Sequence, residues 1–179
     1  MSFFNIKQKL GAFIERFRPL GNHFKPKGKF KIEILDKDGK VKFMEEFPND
    51  ITTQGKNSIL DVQFHAATQI TTWYIGLVDN SGWTAFAAAD TLASHAGWNE
   101  FTTYTGNRKE WTEGAPSSGS ITNATSVDFA ITGSGTLKGV FIASVATGTS
   151  GTLWSTAAFS STVPVINGDT LKITYTINT

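Results

Sequence analysis

Thr72-Trp73-Tyr74-Ile75-Gly76-Leu77-Val78 alternates as a half-buried strand does, with Trp73, Ile75 and Leu77 on one face of the pleat. Asp79-Asn80-Ser81-Gly82 follows it with the composition of a turn. Between Thr71 and Trp111 lie four of the five tryptophans (Trp73, Trp83, Trp98, Trp111), two of the three tyrosines (Tyr74, Tyr104), Phe86 and Phe101. Aromatic side chains bury more apolar area than any others, so this stretch is expected to be the packing centre of a small β-domain. After the turn come an alanine-rich segment, a short helix opened by Asp90, and a loop carrying Trp98 and Trp111.

The same period recurs on both sides. Towards the C-terminus, Leu171, Ile173, Tyr175 and Ile177 alternate with Lys172, Thr174 and Thr176 after an Asn167-Gly168 turn. Val127, Phe129 and Ile131 share one face of a strand over 126–132. The nearly continuous apolar run from Leu137 to Val145 suits a central strand covered on both sides. Val163 to Ile166 reads as a further short strand, while Leu153 to Phe159 is too mixed to assign. Towards the N-terminus, Phe30, Ile32 and Ile34 alternate with Lys31 and Glu33, and a two-residue Asp38-Gly39 turn leads to Val41 and Phe43. Thr53 to His65 reads as a helix that directs Ile59, Leu60 and Phe64 to the core. Several short strands separated by turn signals argue for a mainly β protein, a jelly-roll-like β-sandwich with one or two short helices and an N-terminal helical arm.

That arm is the other distinctive feature. Phe3, Ile6, Leu10, Phe13 and Phe17 recur at helical spacing over residues 2–18, Phe4 and Ile14 widen the stripe, and Ser2 can cap the start. Gly11 weakens the middle, and Pro19 with Gly21 ends the pattern. Residues 19–29 form a basic Pro/Gly/Lys linker, so the chain divides into an arm over 1–29 and a body over 30–179. Through Lys31 there are eight basic residues (Lys7, Lys9, Arg16, Arg18, Lys25, Lys27, Lys29, Lys31) and one acid, Glu15; beyond it, eight basic residues face fourteen acids. A basic arm on an acidic body is built to meet something negative. The apolar stripe can be buried on its own domain, on a neighbouring subunit or, less readily, at a membrane surface. Its place ahead of the linker favours the neighbour.

Chemistry is scarce. With no cysteine there is no disulfide, thiol nucleophile or thiolate metal site. His23, His65 and His95 are scattered, without ligand spacing. Asp36-Lys37-Asp38-Gly39 matches only the opening of a calcium loop, and Gly55-Lys56 lacks the earlier glycine of a phosphate loop. Glu110 and Glu113 flank Trp111 but read as a solvated rim, and Asp90 with His95 reads as capping and packing. No run is apolar enough to span a membrane, the N-terminus does not read as a secretory signal, and no specific nucleic-acid motif is visible. One alternative to a purely structural role is an exposed aromatic loop of Trp83, Trp98, Tyr104 and Trp111 that stacks on sugars; filling the core is the other use of the same rings.

Gly28-Lys-Phe-Lys-Ile-Glu-Ile34, Gly55-Lys-Asn-Ser-Ile-Leu-Asp-Val62, Thr72 to Val78, Ala87 to Glu100 and Asn167-Gly-Asp-Thr-Leu-Lys-Ile-Thr-Tyr175, in this order, resemble small structural proteins of tailed bacteriophages. The likeness covers about residues 28–179 and leaves out the arm. It implies a virion component, assembled in the host cytoplasm, that is not an enzyme and needs no cofactor or metal. The favoured expectation is an oligomeric capsid decoration (cement) protein. Its arm, through Phe3, Phe4, Ile6, Lys7, Lys9, Leu10, Phe13, Arg16, Phe17, Arg18, Lys25 and Lys27, would grip the major capsid protein or a sister subunit. The alternative is a tail or fibre component whose aromatic loop binds host glycans.

Overall fold

The computed structural model describes residues 25–179, so the helix expected over residues 2–18 lies outside the described residues. The body is mainly β, built from two antiparallel sheets in a sandwich-like arrangement. In the first sheet β2 (Val41–Pro48), β1 (Lys27–Leu35) and β11 (Thr170–Asn178) lie side by side, and β7 (Ser120–Thr122) and β8 (Val127–Ala130) both pair with the far side of β11. In the second, β3 (Asp50–Ile51), β10 (Leu153–Val165), β9 (Gly135–Ala143) and β4 (Tyr74–Asp79) are neighbours, and β5 (Asn99–Phe101) and β6 (Lys109–Glu110) share the far side of β4.

Alternation in the sequence becomes alternation in burial. Phe30, Ile32 and Ile34 of β1 and Leu171, Ile173 and Tyr175 of β11 all point inward, in register as Phe30 opposite Tyr175, Ile32 opposite Ile173 and Ile34 opposite Leu171. They meet Ile75, Leu77, Leu137, Val140, Ile142 and Trp154 from the second sheet in one core. β9 is sealed on both faces, as its apolar run requires. Val140 and Ile142 face the sandwich interior, while Phe141 and Ala143 face outward and are covered by the segment 80–98 through Trp83, Phe86, Leu92 and Trp98. Gly76 is what allows Phe141 to lie flat on β4, since any Cβ there would run into its ring.

Several local expectations are corrected. The β1–β2 connection is a three-residue turn, Lys37-Asp38-Gly39, closed by Asp36 N–H donating to the Lys40 carbonyl at 2.8 Å. The Asp36 carboxylate accepts from Asp38 N and Lys40 N, and Gly39 takes the left-handed conformation as the last residue of this three-residue turn. No helix forms at Asp90, because its carboxylate closes a turn onto Ala87 N at 2.9 Å and receives the Trp98 indole N–H. Leu153 to Val165 is one long strand whose register shifts between Ala158 and Val163, and that irregularity obscured its period. The helix α1 (Thr53–Phe64) is present, with Ile59 against the core, but Leu60 is 55% and Phe64 83% exposed.

Candidate functional site: an apolar cleft at one end of the sandwich

The N-terminus of α1 is clamped to the start of β10. Thr52 caps it, its hydroxyl accepting from Gly55 N at 2.9 Å and donating to the Leu153 carbonyl at 2.5 Å. Thr52 N–H reaches the Trp154 carbonyl at 3.0 Å, and the Gln54 side-chain oxygen accepts from Leu153 N at 2.8 Å. Gly55 is buried against the Trp154 carbonyl, where a Cβ would collide with it. The rest of the helix runs out over the open end of the sandwich, leaving a cleft of about 230 Å³ beneath it.

Ile59 and Val62 of α1 form one wall of this cleft, and Trp73, Trp111, Trp154 and Ile177 form much of the remainder. Its rings are fixed by their polar tips. Trp154 Nε1 donates to the Tyr175 hydroxyl at 3.0 Å, and Asn49 Nδ2 donates to the same oxygen at 2.8 Å. Asn49 Oδ1 in turn accepts from Gly28 N at 2.7 Å, tying the entry of β1 to the cleft floor. Trp111 Nε1 is shared at 3.2 Å between Asn123 Oδ1 and the Tyr175 carbonyl. Burial pushes the Tyr175 phenol up to about 12, with the Trp154 hydrogen bond acting the other way. A recess walled largely by apolar side chains, with the polar tips of Trp111, Trp154 and Tyr175 paired internally, can take up apolar side chains.

The aromatic residues singled out from sequence do not form one exposed loop. Trp98 is 2% exposed, pinned by Asp90 at 3.0 Å and stacked on His95 at 3.9 Å between ring centroids. Tyr104, 6% exposed, sits edge-on to Phe129, and burial raises its phenol well above the usual range. Trp111, 4% exposed, belongs to the cleft floor. Only Trp83 keeps a half-exposed ring, packed edge-on against Phe86 with Lys138 Nζ 5.7 Å from its centroid. These rings fill cores because each indole N–H or ring face has an internal partner, so the sugar-stacking surface expected of Trp98, Tyr104 and Trp111 is corrected.

The other sequence candidates fall as follows. Asp90 and His95 bracket Trp98 from different directions, and Glu110 and Glu113 are both exposed. Lys25 and Lys27 are exposed where the described chain begins; Phe3, Phe4, Ile6, Lys7, Lys9, Leu10, Phe13, Arg16, Phe17 and Arg18 lie outside the described residues. Among the described residues no cluster of three or more His, Cys, Asp or Glu could hold a metal, and no helix is long and apolar enough to cross a membrane. The sequence reading missed the cleft. Leu60 and Phe64, expected in the core, stand outside it and do not line the cleft. The sequence reading also missed Arg108, buried and doubly hydrogen-bonded to Glu100 at 2.9 and 2.8 Å over the Phe141 ring, a fastening for the outer face of the second sheet. Comparison of the chain with protein-family models finds no match, and comparison with curated proteins finds none either.

Proposed function

We propose that this chain is a non-enzymatic structural component of a tailed-bacteriophage virion, most specifically a capsid decoration protein. In this reading a jelly-roll-like body sits on the shell, and the basic arm of residues 1–29, beginning in an amphipathic helix, contacts the major capsid protein or a sister subunit within an oligomer. The order of segments that resembles phage structural proteins supports the virion assignment. One structural observation carries the contact role. The apolar cleft lies where the basic segment joins β1, Gly28 being paired opposite the cleft residue Ile177, and α1, which walls the cleft with Ile59 and Val62, leaves Leu60 and Phe64 exposed. An exposed apolar surface next to a cationic tether is suited to association with a larger partner.

The test is reconstitution on phage shells stripped of decoration. The full chain is expected to bind them at saturating occupancy, and removal of residues 1–18 is expected to abolish binding while the body keeps its β circular dichroism. Wild-type occupancy by the truncated chain would remove the arm from the proposal. Failure of the full chain to bind any shell or tail would remove the virion reading itself.

A further inference from the structure

The cleft beneath α1 is built as a ligand recess, with a fixed floor, a held wall and no charge. Trp111, Ile142, Trp154 and Tyr175 are buried in its floor, while Val62 of α1 and Ile70 and Trp73 of the connection to β4 stand half-exposed around it. The floor cannot close up, because the Trp111 and Trp154 indole N–H groups are held by Asn123 and by the Tyr175 hydroxyl. Trp73 leans on Trp154 with ring centroids 5.7 Å apart and planes at 55°, so two flat surfaces border the same space. The wall opposite α1 depends on strained backbone. At the end of the helix the His65 and Ala67 N–H groups both donate to the Asp61 carbonyl, at 3.0 and 3.1 Å, and Ala66 between them takes a left-handed φ of 56°. That reversal returns the chain so that Gln69 and Ile70 line the cleft. Strain of this kind persists where a clamp or ligand site requires it. Among the described residues that line the cleft, Tyr175 is the only ionisable one and its hydroxyl is already engaged, while Ser58, Gln63 and Gln69 are polar but uncharged.

We infer that the cleft is a binding site for a small, uncharged, planar aromatic molecule, seated against Trp73 and Trp154 with one edge towards the exposed Gln63 and Gln69. Size sets the scale: an apolar cavity of about 150 Å³ takes benzene, so about 230 Å³ has room for a ligand of roughly two fused rings. Shape sets the class, since offset and edge-to-face contacts with indole rings add to what area burial alone supplies. Charge is excluded because an ion entering the recess would lose hydration and meet no counter-charge. The inference goes beyond the decoration reading and does not rest on it.

Indole, neutral and soluble, is the probe. It is titrated into the nitrogen-15-labelled full chain while the indole N–H signals of the five tryptophans are followed by NMR. Trp73, Trp111 and Trp154 are expected to move together along one saturable curve with a Kd on the order of 10–100 µM. Trp83 and Trp98, which pack on the outer face of the second sheet, are expected to stay in place. No movement at millimolar indole, or an equal drift of all five signals, would overturn the inference. Indole-3-acetate and tryptamine, which add a negative and a positive charge to the same rings, are expected to bind at least roughly tenfold more weakly. Cyclooctanol, uncharged but not planar, is also expected to be weaker. Equal affinity for either kind of analogue would overturn the class of ligand. Val62→Trp, at a half-exposed wall position, is expected to fill the recess and abolish the shifts with β circular dichroism retained. Undiminished binding by that variant would place the ligand elsewhere and overturn the site. If the variant does not fold, the contrast between the two groups of tryptophans in the unaltered chain decides alone.

Discussion

The two faces of the second sheet are closed by different means. On the inner face, Ile75, Leu77, Val140 and Ile142 meet another sheet, strand against strand, in regular alternation. On the outer face, Val78, Phe141, Ala143 and Leu153 meet a segment with almost no regular structure, held by individual contacts: Asp90 on Trp98, Thr84 N–H on the Gly97 carbonyl, and Thr53 N–H on the Ala88 carbonyl. A sheet-on-sheet core spreads its stability over many equivalent contacts, whereas a lid of this kind concentrates it in a few polar fastenings.

The largest effect is expected from the inner face. Phe30→Ala removes a ring stacked 4.4 Å from Tyr175 and should cost about 3–5 kcal/mol in denaturant unfolding. A loss below about 1 kcal/mol would mean that the inner core repacks readily and would erase the contrast. Asp90→Ala tests the outer face. It strands the Trp98 and Ala87 N–H groups and should cost about 1–3 kcal/mol. Hydrogen exchange should quicken across 84–98 while the amides of β1 and β11 stay protected, and uniform acceleration would show that lid and sandwich open together.

A pH titration sharpens the comparison further. Tyr175, in the inner core, has its phenol raised by burial to about 12, above its ordinary value of 10. A raised acid holds its proton more tightly when folded, so this contribution is complete below pH 10 and is lost as pH climbs from 10 towards 12. Stability should therefore fall over that window, and Tyr175→Phe should flatten the fall; an unchanged slope would assign it to other groups. The smallest effect belongs to the helix. Phe64→Ser, at a side chain 83% exposed, should leave the melting temperature within a degree or so of wild type, while weakening binding to phage shells. A substantial drop in stability would mean that the ring packs against the body.

Legibility followed periodicity. β1, β11, β8 and the two-faced β9 were readable because their alternation, or its absence, reports directly on which faces are covered. β3, β5, β6 and β7, at two or three residues each, are too short to carry a period at all. The segment 80–98 was misread as partly helical because Asp90 has the right chemistry for a helix cap, and only the position of Trp98, eight residues on, recruits it elsewhere. α1 was found but turned wrongly. Its apolar residues are few, and nothing local distinguishes Ile59, which packs inward, from Leu60, which does not. The cleft is assembled from residues as far apart in sequence as Ile59 and Ile177, so no local pattern could announce it.

The pairing of β1 with β11 has a consequence for how the protein is made. The first sheet is organised around two strands from opposite ends of the described chain, and Lys42 of β2 is ion-paired at 2.6 Å with the buried Asp169 just before β11. During translation the opening hairpin must therefore wait, with Phe30, Ile32 and Ile34 uncovered, until residues 170–178 clear the ribosome. Closure of so long a loop is slow, and the interval is when a nascent chain is most exposed to strand-edge mispairing.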